Sequence, residues 1–258
     1  MNTSATISSA ASVDARTGTS SLIAQEKMLA TAIAAPMDSI TTTGGKFGLG
    51  ASVALNLINT NTTAELQDGA TMINGTGLTV QATSNIDTVT TASAGAAGGI
   101  AIDASVALAT LDERTTARVG TGTGMTMGAG TVTISAINTG TNTATSTGKT
   151  KGGKVAVGAS AALILGGGAS DGALNNTSIT SATLARGLTA GSLAISASSV
   201  RTYDATATAT AEGGKFNQTD AKKNDTTGGT SSTATTIDKT KGAQRDAKGK
   251  KGGSKVTV

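Results

Sequence analysis

A decapeptide pattern recurs three times, and this constrains the chain more than any other feature. Lys46-Phe47-Gly48-Leu49-Gly50-Ala51-Ser52-Val53-Ala54-Leu55 returns as Gly99-Ile100-Ala101-Ile102-Asp103-Ala104-Ser105-Val106-Ala107-Leu108, and again as Lys154-Val155-Ala156-Val157-Gly158-Ala159-Ser160-Ala161-Ala162-Leu163. Ala51, Ala104 and Ala159 are separated by 53 and 55 residues. Repeats of this length cannot each close a core alone; they stack on one another.

Alternate positions of the pattern are apolar: Phe47, Leu49, Ala51, Val53, Leu55 and Leu57 in the first copy. Period-two apolarity predicts a β-strand with that face buried. The intervening positions are Gly, Ala, Ser and Asp. This small face either admits a second layer at close approach or faces water. A second strand recurs as Leu78–Ala82, Val132–Ala136 and Leu193–Ala197. A third, Thr63-Ala64-Glu65-Leu66, is matched by Thr116–Val119 and, in degraded form, around Asp171–Leu174. Gly98-Gly99, Gly152-Gly153 and Gly213-Gly214 close the repeats, where positive φ would give a tight corner.

The reading is all-β: a repetitive β-solenoid, a right-handed parallel β-helix, with a stacked β-sandwich or β-roll as the alternative. Its divisions are residues 1–43, the end of a preceding repeat; 44–99, 100–153 and 154–214, three repeats; 215–253, a basic flexible insertion; and 254–258, the start of a next repeat. Ala5–Ala10 is read as the second strand of the preceding repeat. Residues 21–35 are expected to be a helical insertion, with Leu22, Leu29 and Ile33 on one stripe and Pro36 ending it. Neither end reads as a cap, so a fragment of a longer array is expected.

Composition supports thin layers. There are two Phe, one Tyr and no Trp, and the core must be built from Ala, Val, Ile and Leu. Without Cys there are no disulfides and no thiolate chemistry. Without His, a Ser-His-Asp triad and a His or Cys zinc site are excluded. No run of 18 apolar residues predicts a spanning helix, and Met1–Thr6 lacks the features of a signal peptide.

Charge is uneven. From Gly213 to Lys255 ten Lys or Arg stand against four Asp, a net of +6, while the remainder carries −2; together they make the +4 of the whole chain. Lys222, Lys223, Lys239, Lys241, Arg245, Lys248, Lys250 and Lys251 are therefore candidate contacts for an anionic ligand such as a glycan. The competing reading is a solvated loop. No aromatic residues are interleaved with these cations as stacking platforms, which disfavours specific nucleic-acid binding.

Other chemistry is sparse. Asp112-Glu113-Arg114 is the one tight charged cluster, and a turn position explains it. Asp68, Asp87, Asp103, Asp171 and Asp204 do not recur in register, which argues against a carboxylate-based glycan enzyme. Gly148-Lys149-Thr150-Lys151 lacks the earlier glycine of a phosphate loop. Thr206, Thr208 and Thr210, with Thr141, Thr143 and Thr145, would line strand faces, as an ice-binding array would require on successive repeats. No catalytic, cofactor-binding or metal-ligating residue is expected.

Gly50–Asn56, followed by Asn61–Ala64 and Leu78–Ala82, resembles the repeats of large bacterial filamentous adhesins, the filamentous-haemagglutinin-like and leukotoxin-like surface proteins. The resemblance covers roughly residues 44–211. It implies a β-helical, non-enzymatic adhesin segment, secreted or attached to the bacterial surface, exported as an autotransporter or two-partner secretion passenger with an outer-membrane partner. It also implies attachment to a host-cell or matrix surface. A polysaccharide-active enzyme, an ice-binding solenoid and a passive spacer are the alternatives.

Overall fold

The structure, a computed structural model, describes residues 1–35, 45–167 and 177–213 and the backbone of a last strand. It is all-β, with no helix among the described residues. The strands are β1 (Asn2–Ile7), β2 (Ser12–Asp14), β3 (Thr19–Ala34), β4 (Phe47–Leu66), β5 (Thr71–Ile73), β6 (Gly77–Val119), β7 (Met125–Thr126), β8 (Thr131–Gly166), β9 (Ser178–Leu184), β10 (Leu188–Thr189), β11 (Ser192–Glu212) and β12 (Gly253–Thr257).

Like residues pair with like. Ala51 pairs with Ala104 and Ala104 with Ala159; Leu55, Leu108 and Leu163 align in the same way. Among the described residues every strand pairing is parallel except that of β11 with β12. Parallel ladders require a crossover between partners, and here each crossover is the remainder of a repeat.

A repeat has two arms. The outgoing arm comprises β4, residues 100–119 of β6, the end of β8, and β9. The returning arm comprises β3, residues 77–98 of β6, the start of β8, and β11. Because β6 and β8 run through both arms, the arms belong to one eight-stranded sheet that folds back on itself. The short strands β2 and β5, and β7 and β10, lie between the arms in sequence.

The space between the arms tapers, and side-chain volume sets the taper. Next to the short strands Leu66, Leu78, Val80, Val119, Met127 and Ile134 pack in an apolar core. Further along, Ile58, Ile86, Ala109 and Leu111 form a second cluster. Beyond it the buried apolar residues are alanines: Ala54, Ala92, Ala107 and Ala144, then Ala94, Ala96 and Ala101. At the narrow end a Cβ on Gly48 would lie 2.1 Å from the Ala97 carbonyl oxygen, and one on Gly50 2.2 Å from that of Gly95. Only glycine permits this approach.

Several expectations are corrected. Residues 21–35 form no helix; β3 pairs residue for residue with β6, from Thr19–Gly77 to Ala34–Ala92. Leu22, Ala24 and Glu26 alternate inward, and tertiary pairing overrides the helical stripe. Ala5 and Ile7 pair with Ala64 and Leu66, so this segment matches the third strand motif, and Ser20–Ala24 matches the second. The counterpart of Thr116–Val119 is Ser181–Leu184, displaced along the chain by an insertion in the third repeat; residues 171–174 lie outside the described residues. Gly98, Gly99, Gly152 and Gly153 are not at positive φ. Gly98 and Gly152 instead allow close backbone contact, with a register shift between Gly98 and Ile100. The backbone of Gly253–Thr257 runs antiparallel to Val200–Asp204, which is not the parallel pairing of a next repeat.

The largest correction concerns which face is buried. The small residues point between the arms, and the large apolar ladder points outward. Leu49 is 76% exposed, whereas Ala54 on the opposite face is 3% exposed. The second layer does approach the small face, as one of the two expectations for it held. The ladder of Leu, Val and Ile is therefore left on the outside.

Candidate functional site

The outer surface of the outgoing arm is an uncharged apolar sheet face. Its rows run across three repeats: Leu49, Ile102 and Val157; Ala51, Ala104 and Ala159; Val53, Val106 and Ala161; Leu55, Leu108 and Leu163. Phe47 and Leu57 extend it in the first repeat, and both are exposed. Toward the short strands the same outer face turns polar at Asn59, Asp112 and Arg114. Asp112 accepts hydrogen bonds from Asn59 Nδ2 at 3.3 Å and Thr177 Oγ1 at 2.5 Å. Exposed Lys46 and Lys154 flank the other end.

The outer surface of the returning arm is largely polar across β6, β8 and β11, with exposed Ile23, Leu29 and Ile33 on β3 and Val89 on β6. Thr91, Thr145 and Thr206 form a threonine row across three strands that ends on Ile33 in β3. Ser93, Thr147 and Thr208 form the next. The array is interrupted where Thr143 stands between Val89 and Asp204, and where Thr210 meets Lys149. Thr88 and Thr90 point inward and are buried. Gly148–Lys151 is strand, not a loop, so its backbone N–H groups are not arranged to cradle a phosphate.

Between the arms runs a buried polar seam. Glu113 does not sit at a turn; it lies within β6, pointing inward while Asp112 and Arg114 point out. Arg201 of β11 pairs with Glu113, their side chains 4% and 1% exposed. Arg201 Nη1 also donates to Asn138 Oδ1 at 3.1 Å and to the Thr139 carbonyl at 2.9 Å. Burial raises the Glu113 carboxyl above its ordinary value, against the opposing attraction of Arg201. Thr62 Oγ1 donates to Glu26 Oε2 at 2.6 Å. Asp103 is 1% exposed, and neither of its carboxylate oxygens has a hydrogen-bond partner among the described residues.

The corner beside the short strands is held by two arginines. Arg186 donates to the carbonyls of Gly120 and Ala70, each at 2.5 Å, of Thr121 at 2.9 Å and of Gln67 at 3.2 Å. Burial lowers its pKa. One side chain thereby ties three successive repeats. On the surface, Arg118 bridges Glu65 and Asp68. Its hydrogen bond, followed by the Thr121 N–H, holds the Asp68 carboxyl down to about 2.

Lys222, Lys223, Lys239, Lys241, Arg245, Lys248, Lys250 and Lys251 lie outside the described residues. Asp68, Asp87, Asp103 and Asp204 are not brought together: Asp68 is at the corner, Asp103 inside, and Asp87 and Asp204 on the returning arm. No group of three or more acidic side chains placed to hold a metal ion occurs among the described residues, and no helix there is long and apolar enough to cross a membrane. Sequence reasoning missed Arg186 and Arg201, because nothing local marks an arginine whose partners lie more than 60 residues away. Compared with known protein families, curated proteins and solved structures, the chain matches none.

Proposed function

We propose that this chain is a structural and adhesive segment of a right-handed parallel β-solenoid fibre, secreted by or attached to a bacterial surface, and not an enzyme. The observation that carries the reading is the parallel, residue-for-residue pairing of Ala51, Ala104 and Ala159 and their neighbours along three repeats. Parallel stacking on a fixed repeat extends a surface in one direction, and extended surface is what a fibre presents to a partner. Among the described residues, like side chains are laid out in rows along the outer faces, which supports attachment over an extended surface.

Host-cell or matrix glycans are the proposed target, with the basic segment as the anionic-ligand contact and an outer-membrane secretion partner for export. The interrupted threonine rows favour adhesion over ice binding. The test is binding of the whole chain to cells and to a glycan panel across a salt series, with and without residues 217–251. Salt-sensitive binding lost on deletion supports the adhesive role of the basic segment. Salt-insensitive binding retained by both forms moves adhesion to the strand faces. Absence of binding by either form overturns the adhesive reading and leaves a stalk.

A further inference from the structure

We propose that the apolar outer face of the outgoing arm is a self-association surface, occupied by the same face of a second copy. This goes beyond the adhesive reading and stands or falls independently of it.

Three observations carry the choice of occupant. The first is area. The face spans eleven residues, from Phe47 to Leu57, along the strand and three strands across. At strand dimensions this is about 33 Å by about 14 Å, a flat footprint of roughly 450 Å² per copy before ridges and grooves are counted. Two such faces make about 900 Å² when taken as flat, and their relief brings this to the roughly 1,000 Å² that a specific interface needs. A face of this size left in water is unfavourable at about 25 cal/mol per Å².

The second is charge. The outward-facing rows from Phe47 to Leu57 and their partners contain no ionisable side chain, Asp103 pointing inward, and charged groups begin at the rim with Lys46, Asp112 and Lys154. A charged peptide or glycan finds no counter-charge here. An identical uncharged face meets no desolvation penalty.

The third is relief. The row of Ala51, Ala104 and Ala159 is a groove, and the row of Leu55, Leu108 and Leu163 two positions away is a ridge. The row of Val53, Val106 and Ala161 lies midway between them. A two-fold axis along that middle row sets the leucine ridge of each copy into the alanine groove of the other. The pairing is isologous and closed, with strands antiparallel across the interface and sheets about 10 Å apart.

The chain has no cysteine, so single substitutions report the contact cleanly. In the full-length chain Val106→Cys lies on the axis and meets its own copy; a short bis-maleimide is expected to join it to a dimer. A51C mixed with L55C is expected to cross-link between the two variants, and each alone far less. Thr145→Cys, on the polar returning arm, is expected to stay monomeric. Sedimentation at about 100 µM is expected to show a dimer, weakened at least tenfold by Val106→Asp, with an unchanged far-ultraviolet spectrum. Val106 points outward, and the cross-linking arm does not depend on the Asp variant folding. A wild-type monomer at that concentration overturns the proposal. So does equal cross-linking at positions 106 and 145, or co-sedimentation with phosphatidylcholine vesicles without self-association.

Discussion

Arg201 and Glu113 form a buried ion pair across the two arms, joining the returning strand of the third repeat to the outgoing strand of the second. Removing one partner leaves the other charge without a counter-ion. Arg201→Met is expected to cost about 3–5 kcal/mol, and the double variant R201M/E113Q much less. Urea unfolding of the single and double variants measures both.

The same pair predicts a pH dependence. The Glu113 carboxyl titrates above its ordinary 4.5 in the folded chain, so the folded state holds that proton more tightly than the unfolded state. The resulting stability is present below pH 4.5 and is lost as pH rises through the folded value. Glu113→Gln is expected to flatten this decline, and Arg201→Met to steepen it by removing the opposing attraction. A series of unfolding midpoints from pH 4 to 8 reads the slopes; equal slopes in all three proteins would sink the assignment.

Arg186 holds four carbonyls from two neighbouring repeats. Arg186→Met strands those acceptors, and a loss of about 2–4 kcal/mol is expected. Arg186→Lys keeps a charge but not the planar fork, so partial recovery is expected. Thermal unfolding separates the three proteins.

Gly50 and Val53 test the direction of the faces. A Cβ at Gly50 would lie 2.2 Å from the Gly95 carbonyl oxygen, while Val53 is exposed. Gly50→Val is expected to cost about 3 kcal/mol or more, by forcing the arms apart. Val53→Thr is expected to change stability by less than about 0.5 kcal/mol in dilute, dissociated protein. A large loss at Val53 with tolerance at Gly50 would mean that the faces are reversed.

Asp103 occupies a stack position that is Gly50 in the repeat before and Gly158 in the repeat after. Its carboxylate lies in the space left by glycine: a Cβ on Gly148 would be 2.8 Å from its Oδ1. Burying an unpartnered carboxyl opposes folding. Asp103→Asn is expected to stabilise the chain by about 1–3 kcal/mol in urea unfolding, and a destabilisation would reveal a partner that the carboxylate needs.

The repeat, the all-β class and the positions of the strands at Phe47–Leu57 and Leu78–Ala82 with their counterparts follow from residue spacing alone. Ala51, Ala104 and Ala159 stand at nearly equal offsets, and equivalent residues of a repeated strand stack when the chain returns in parallel. Period-two alternation likewise marks Leu78–Ala82 and its two counterparts as strands. These are properties of local sequence, since β geometry places every second side chain on one face.

The burial of that face is not a local property. Alternation says that Leu49 and Gly50 point opposite ways; it does not say which points inward. The answer depends on how closely the returning arm packs, and that depends on Gly95 and Ala97, nearly fifty residues downstream in sequence. Small residues on both arms close the gap between the layers and leave the leucine ladder outside. Residues 21–35 show the same division: their helical stripe is local, but pairing with Leu78–Ala92 makes them a strand. Arg201 and Arg186 find their partners only once repeats are stacked, because buried charges are placed by neighbours a full repeat away.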